Sequence, residues 1–186
     1  MAARIRGATA APLLLMTYYN LIHHYGHSRF VRDALQAGLD GVIIPDLPSG
    51  EAAPLLEVAQ PGGIYLIQMV APTTTADRLA EVGRTARGFV YCVSLLGTTG
   101  ARAAISDRLP SFMANVHAHV RLPLMVGFGI SRPEHVAAVR QYADAVAVGG
   151  AIADLLRTTP RASCESALAA YVSELRAAGA ARSAVP

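Results

Sequence analysis

Three stretches of this 186-residue chain combine glycine with hydroxyl or small residues directly after an apolar run. They are Leu95–Arg102 (LLGTTGAR), Gly127–Ser131 (GFGIS) and Gly149–Ile152 (GGAI). Glycine lets a ligand come close to the backbone, and a helix that starts just beyond it offers unpaired N–H groups to an anion. The pattern fits a phosphate cradle built by the last two strands of a parallel β/α protein; it also fits glycines that only make tight turns.

Acid/base candidates are scarcer. Of the 13 carboxylates, Asp33, Glu57, Asp77, Glu81, Asp107, Glu134, Asp154, Glu165 and Glu174 fall in predicted helices or at their starts. Asp40 and Asp144 precede predicted strands, at the end away from a ligand site. Asp46, in Ile44–Pro48 (IPDLP), stands directly at a strand's carboxyl end, with Glu51 a turn later. It can act as a general base or cap its own loop, and proton shuttling normally needs two positioned groups. Tyr18, Tyr19 and Tyr91 can line a pocket for a flat ligand or pack in the core. His23, His24 and His27 offer two metal ligands by spacing, but no Cys or carboxylate lies close by, so the stretch reads as a solvated loop with no metal. His117 and His119 read as solvent-facing residues of a helix.

The elements that must position these residues follow from hydrophobic periodicity. Six short apolar runs read as buried parallel strands: 12–17, 41–44, 64–70, 88–94, 123–126 and 145–148. Amphipathic stretches at 28–37, 50–59, 75–86, 109–119 and 133–141 read as the crossover helices, with Thr75 and Ser131 as caps and Pro133 in a first turn. A last amphipathic helix spans about 161–178. With 53% hydrophobic and 16% charged residues, the chain is globular. All 16 basic residues are Arg and there is no Lys, which excludes Schiff-base chemistry, an internally anchored pyridoxal phosphate and a Walker A loop. A net charge of +3 is too small to argue for nucleic acid. Cys92 and Cys164 fit a reduced, cytoplasmic setting; the short apolar stretch near the start is interrupted by Pro12 and is well under the roughly 18 residues of a membrane span, so it reads as neither signal peptide nor transmembrane helix.

In order and spacing, Met16–Asn20 (MTYYN), Ala37–Pro48 (AGLDGVIIPDLP), Val70–Thr75 (VAPTTT), Arg87–Arg102 (RGFVYCVSLLGTTGAR), Val126–Ser131 (VGFGIS) and Ala145–Ile152 (AVAVGGAI) resemble the tryptophan synthase alpha chain family along the whole sequence. The resemblance implies a TIM-type β/α barrel that cleaves indole-3-glycerol phosphate to indole and glyceraldehyde 3-phosphate by a retro-aldol reaction, with no metal or organic cofactor. It implies a beta-chain partner carrying pyridoxal phosphate. By the same resemblance, Gly129, Gly149 and Gly150 match the phosphate site, and Gly100 ends a mobile closing loop that also holds Thr99. Tyr18, Tyr91 and Phe128 match residues around the indole ring, and Pro45, Asp46 and Pro48 match a loop facing the beta partner. Where this chain has Gly149-Gly150 the family commonly has Gly-Ser.

A complete eight-stranded barrel usually takes about 250 residues. The resemblance places the deficit at the amino end: an incomplete barrel of about six strands lacking the first two β/α units, as one partial domain over residues 1–186. Residues 1–11 then correspond to the end of the second helix, 12–160 to strands three to eight, and 161–186 to a C-terminal helix and frayed tail. The family's catalytic Glu and Asp find no counterpart here. Two readings follow: part of an ordinary alpha chain, or a short homologue that binds a phosphate ligand or docks on a beta chain without cleavage. Apart from Pro12, the first strand carries nothing that would protect an exposed edge, which favours the former. A third reading, an isomerase barrel of histidine or tryptophan biosynthesis, is disfavoured by PDLP and GTTGAR.

Overall fold

A computed structural model describes residues 1–93 and 107–180. The chain divides into two compact units, Met1–Tyr91 with His119–Leu122 and Cys92–Ala118 with Pro123–Pro186. The first holds α1 (Ala2–Arg6), β1 (Leu14–Met16), α2 (Tyr19–Tyr25), α3 (His27–Gln36), β2 (Gly41–Ile43), α4 (Ala53–Gly62), β3 (Tyr65–Val70) and α5 (Ala76–Thr85). Strand β4 (Val90–Val93) runs across the division. In the second lie α6 (Leu109–His119, whose last residue falls in the first unit), β5 (Leu124–Gly127), α7 (Pro133–Val139), β6 (Ala145–Val146), α8 (Gly150–Thr158) and α9 (Cys164–Ala180). The six strands follow one another in sheet order as they do in the chain, the α/β pattern that the apolar runs predict.

Register is set at the amino ends of the strands, and by aspartate. Asp40, just before β2, donates its N–H to the Leu13 carbonyl at 2.9 Å and accepts the Leu13 N–H on Oδ2 at 2.7 Å. Its own carbonyl takes the Tyr65 N–H at 3.0 Å, so one residue ties the entries of three strands. The ladders that result pair Leu14 with Gly41 and Gly41 with Tyr65. The Arg6 guanidinium of α1 pairs with the same carboxylate and donates to the Gly38 carbonyl at 2.9 Å. At Gly41 a side chain is excluded, because a Cβ there would lie 2.8 Å from the Tyr65 carbonyl oxygen.

The second unit repeats the device. Asp144, just before β6, donates its N–H to the Leu124 carbonyl at 2.9 Å and accepts the Leu124 N–H on Oδ2 at 2.8 Å. Met125 then faces Ala145 and Val126 faces Val146. Helix α9 lies along α7 and α8.

Around these ladders the apolar positions close the cores. In the first unit Ile22, Val31, Ala34, Val42, Leu55, Ala59 and Leu66 belong to one buried cluster. In the second, Met113, Val116, Leu124 and Val126 are fully buried.

Several local expectations change: the helix expected at 50–59 is α4 at Ala53–Gly62, β4 and β6 are shorter than 88–94 and 145–148, and α8 is not among the expected helices. Strand β1 is shorter than 12–17, since Pro12 has no N–H to give a ladder. The His23–His27 stretch is not a loop: it forms α2 and the start of α3, broken by Gly26 at φ +89°. Buried Ile22 holds it down, and the Tyr19 hydroxyl lies 3.1 Å from His27 Nε2. Arg132, rather than Ser131, is the N-cap of α7, because the His135 and Val136 N–H groups both reach its carbonyl.

Asp144→Ala leaves the Leu124 N–H unpaired in a fully buried position. The expected cost is about 1–3 kcal/mol in urea unfolding, with Asp144→Asn, which keeps an acceptor, nearer to wild type.

Candidate functional site

The β5–β6 register brings two glycine loops to neighbouring strand ends. Gly129 lies three residues beyond Val126, and Gly149 three residues beyond its partner Val146. The Ala147 N–H donates to the Val126 carbonyl at 2.8 Å, so the pairing continues up to the point where the loops diverge.

After β5 the backbone takes two successive positive φ values, +80° at Phe128 and +75° at Gly129. For Gly129 this is free of steric cost. For Phe128 it is a strained conformation worth about 1–3 kcal/mol, held by its surroundings, and the residue is 60% exposed. After β6, Gly149 is the N-cap of α8 and Gly150 its first residue. The Gly149 carbonyl accepts the Ala153 N–H at 3.0 Å, which leaves the N–H groups of the first turn without intrahelical partners. A Cβ on either glycine would meet nothing within 4 Å, so this mouth is open on the protein side. Backbone N–H groups and the positive end of the helix dipole are what an anion would find there, and no lysine or metal ligand is needed.

The aromatic candidates divide. Tyr91, on β4, is buried, and burial raises the pKa of its hydroxyl. Its neighbour Cys92 is fully buried too, with the thiol pushed up to about 12, so it is no nucleophile at neutral pH. Tyr18 is the N-cap of α2 and is 62% exposed. Gly100 and Thr99 lie outside the described residues.

Asp46 is on the exposed turn after β2, with Pro45 before it and Pro48 two residues on. Its Oδ1 accepts the Tyr19 N–H at 2.8 Å, the first amide of α2. The carboxylate thus caps a helix from a different β/α unit, a partner that neither role weighed from the sequence anticipates. Among the described residues no cluster of three His, Cys, Asp or Glu side chains is placed to hold a metal ion. None of the described helices is long and apolar enough to cross a membrane.

Sequence reasoning missed a set of contacts behind the β5 loop. The Ser131 N–H donates to His135 Nδ1 at 3.2 Å, and the Ser131 carbonyl accepts from the Tyr171 hydroxyl at 3.0 Å. His135 is buried on α7 and Tyr171 half-buried on α9. The only sequence signal is a polar residue on the apolar face of a short helix, four residues after a serine.

Fold and loops together define a parallel β/α protein whose glycine-bearing turns gather at the carboxyl ends of its strands. The sequence model of the tryptophan synthase alpha chain matches residues 1–180, and the chain belongs to that family. The tryptophan synthase alpha chain of Chloroflexus aurantiacus is 46% identical over 169 residues, covering 91% of this chain and 64% of the relative. That of Geobacter sp. strain M21 is 42% identical over 176 residues, covering 95% and 66%. This chain therefore spans about two thirds of the length of such relatives. The crystal structure of the alpha chain from Legionella pneumophila superposes with a TM-score of 0.87 at 35% identity, covering 99% of this chain and 69% of that one. A Pyrococcus furiosus structure, described in terms of mutual activation of the tryptophan synthase α2β2 complex, gives a TM-score of 0.87 at 35% identity over 95% of this chain and 71% of the other.

The open space at Gly150 yields a prediction. Gly150→Ser adds a hydroxyl at the start of α8 without a clash, so an anion held there gains a donor, and glycerol phosphate should bind up to about tenfold more tightly by titration calorimetry. An unchanged or weaker affinity would show that no anion is held at the start of α8.

Proposed function

We propose that this chain carries the phosphate-holding and indole-facing part of a tryptophan synthase alpha chain, with indole-3-glycerol phosphate as its ligand. The observation that carries the reading is the β5–β6 register, which sets the Gly129 loop beside the Gly149-Gly150 start of α8 in a member of this family. In this reading the phosphate lies on backbone N–H groups at the start of α8 and beside Gly129. Phe128, beside Gly129, borders the indole ring. The chain works in the cytoplasm and needs neither metal nor organic cofactor of its own.

The family reaction is a carbon–carbon cleavage that needs an acid/base pair. Within these 186 residues no Glu or Asp matches the two family carboxylates, and Asp46 is engaged in capping α2. The chain on its own therefore binds the substrate and leaves it intact. The Pro45–Pro48 turn is the part offered to a beta chain, and the Pyrococcus furiosus α2β2 complex supports such a partnership.

Equilibrium dialysis of indole-3-glycerol phosphate against the purified chain, with indole measured in parallel, tests this. Saturable retention without indole release is the expected result. Absence of retention would sink the ligand assignment, and indole release abolished by Asp46→Asn would make Asp46 an acid/base after all.

A further inference from the structure

The β5 loop holds a conformation that it cannot keep by itself. Phe128 is the one non-glycine among the described residues at positive φ, and Gly129 follows it in the same region. Such backbone persists only where neighbouring groups over-determine it. Two residues on, Ser131 has both of its backbone polar groups taken by side chains rather than by a ladder or a helix. Its N–H goes to His135 Nδ1 and its carbonyl to the Tyr171 hydroxyl. Between the strained pair and this residue lies Ile130, itself buried. The loop is thus fixed on one side by β5 and on the other by a two-sided hold on a single residue.

From this geometry we infer that His135 and Tyr171 are positioning residues which, by clamping Ser131, keep the Phe128–Gly129 backbone open toward the anion. The inference rests on the phosphate reading for its ligand, while the clamp itself concerns the loop alone. Neither side chain reaches the ligand; both act through the Ser131 backbone.

The chemistry of the two side chains is specific. To accept the Ser131 N–H, His135 must carry its proton on Nε2 and present Nδ1 as a lone pair. An aliphatic residue of similar size fills the space and cannot do this. Asparagine places an amide oxygen near the Nδ1 position and can. Tyr171 must remain an O–H donor, and burial raises its pKa, so it stays protonated throughout the neutral range. The two side chains come from α7 and α9, helices that pack against each other, so the clamp also links the loop to the C-terminal helix.

The test uses the 186-residue chain and two readouts. The first is amide hydrogen exchange at Ser131, with Val136 and Val139 of α7 as internal controls. The second is the Kd for glycerol phosphate. In His135→Leu the Ser131 amide should lose protection while the α7 amides keep theirs, and affinity should fall about tenfold. His135→Asn should recover both to within about threefold of wild type. Tyr171→Phe should weaken binding several-fold. The double variant His135→Leu/Tyr171→Phe should lose less than the product of the single losses, because both changes release the same residue.

Unchanged Ser131 exchange in His135→Leu, or equal glycerol phosphate affinity in all variants of a chain that binds it, would overturn the inference. Equal loss of protection at Ser131 and along α7 would reduce His135 to a packing residue and overturn it as well. Should the wild-type chain bind no glycerol phosphate, the ligand assignment fails, and selective exchange at Ser131 still decides whether the clamp exists.

Discussion

The site depends on the way parallel strands are held in register at their amino ends. Side chains alternate between faces along a strand, so a slip of one residue would turn every core position outward and shift each carboxyl-end loop against its neighbour. Asp40 and Asp144 resist that slip with the same pair of bonds, one through the backbone N–H and one through the carboxylate, each to the residue at the entry of the preceding strand. The carboxylate answers a donor that lies at the edge of the ladder and that, at Leu124, is fully buried. Within each unit, one acidic residue at the amino end of a strand thereby fixes the register on which the carboxyl-end loops depend.

Much of this architecture was legible in the amino-acid sequence, and the reason is physical. Buried parallel strands need short β-branched runs, and covering helices need apolar residues at three- and four-residue spacing, so both leave a periodic trace. Glycines after β5 and β6 are equally visible, because backbone at positive φ and open helix starts select for them. What left no trace are contacts between residues remote in the chain. Asp46 faces the Tyr19 amide, Tyr171 the Ser131 carbonyl, and Asp40 the Leu13 amide, and no periodicity encodes such pairings. The His23–His27 stretch misleads in the other direction: its polarity suggests a loop, while one buried isoleucine and a tyrosine–histidine contact keep it helical.

Family membership and the geometry of the strand ends fit together. A chain whose 16 strongly basic residues are all Arg, with no lysine, can still offer a phosphate donors, since a helix start and glycine loops supply N–H groups that carry no titratable charge. In the proposed site, Gly149-Gly150 stands where the resemblance has Gly-Ser, and holding a phosphate there falls to the backbone. This raises the importance of whatever keeps the backbone in place, and so connects the strained Phe128–Gly129 turn to the residues that grip Ser131. The chain covers about two thirds of the length of these relatives.

The central claim, that paired loops at the ends of β5 and β6 hold a phosphate through backbone N–H groups, is tested most directly by amide chemical shifts of the ¹⁵N-labelled chain during titration with glycerol phosphate. Saturable shifts are expected at Gly129, Gly149, Gly150 and Ala151 with a single Kd, and little change along α2 and α3. Shifts confined to other residues, or none that saturate, would contradict it.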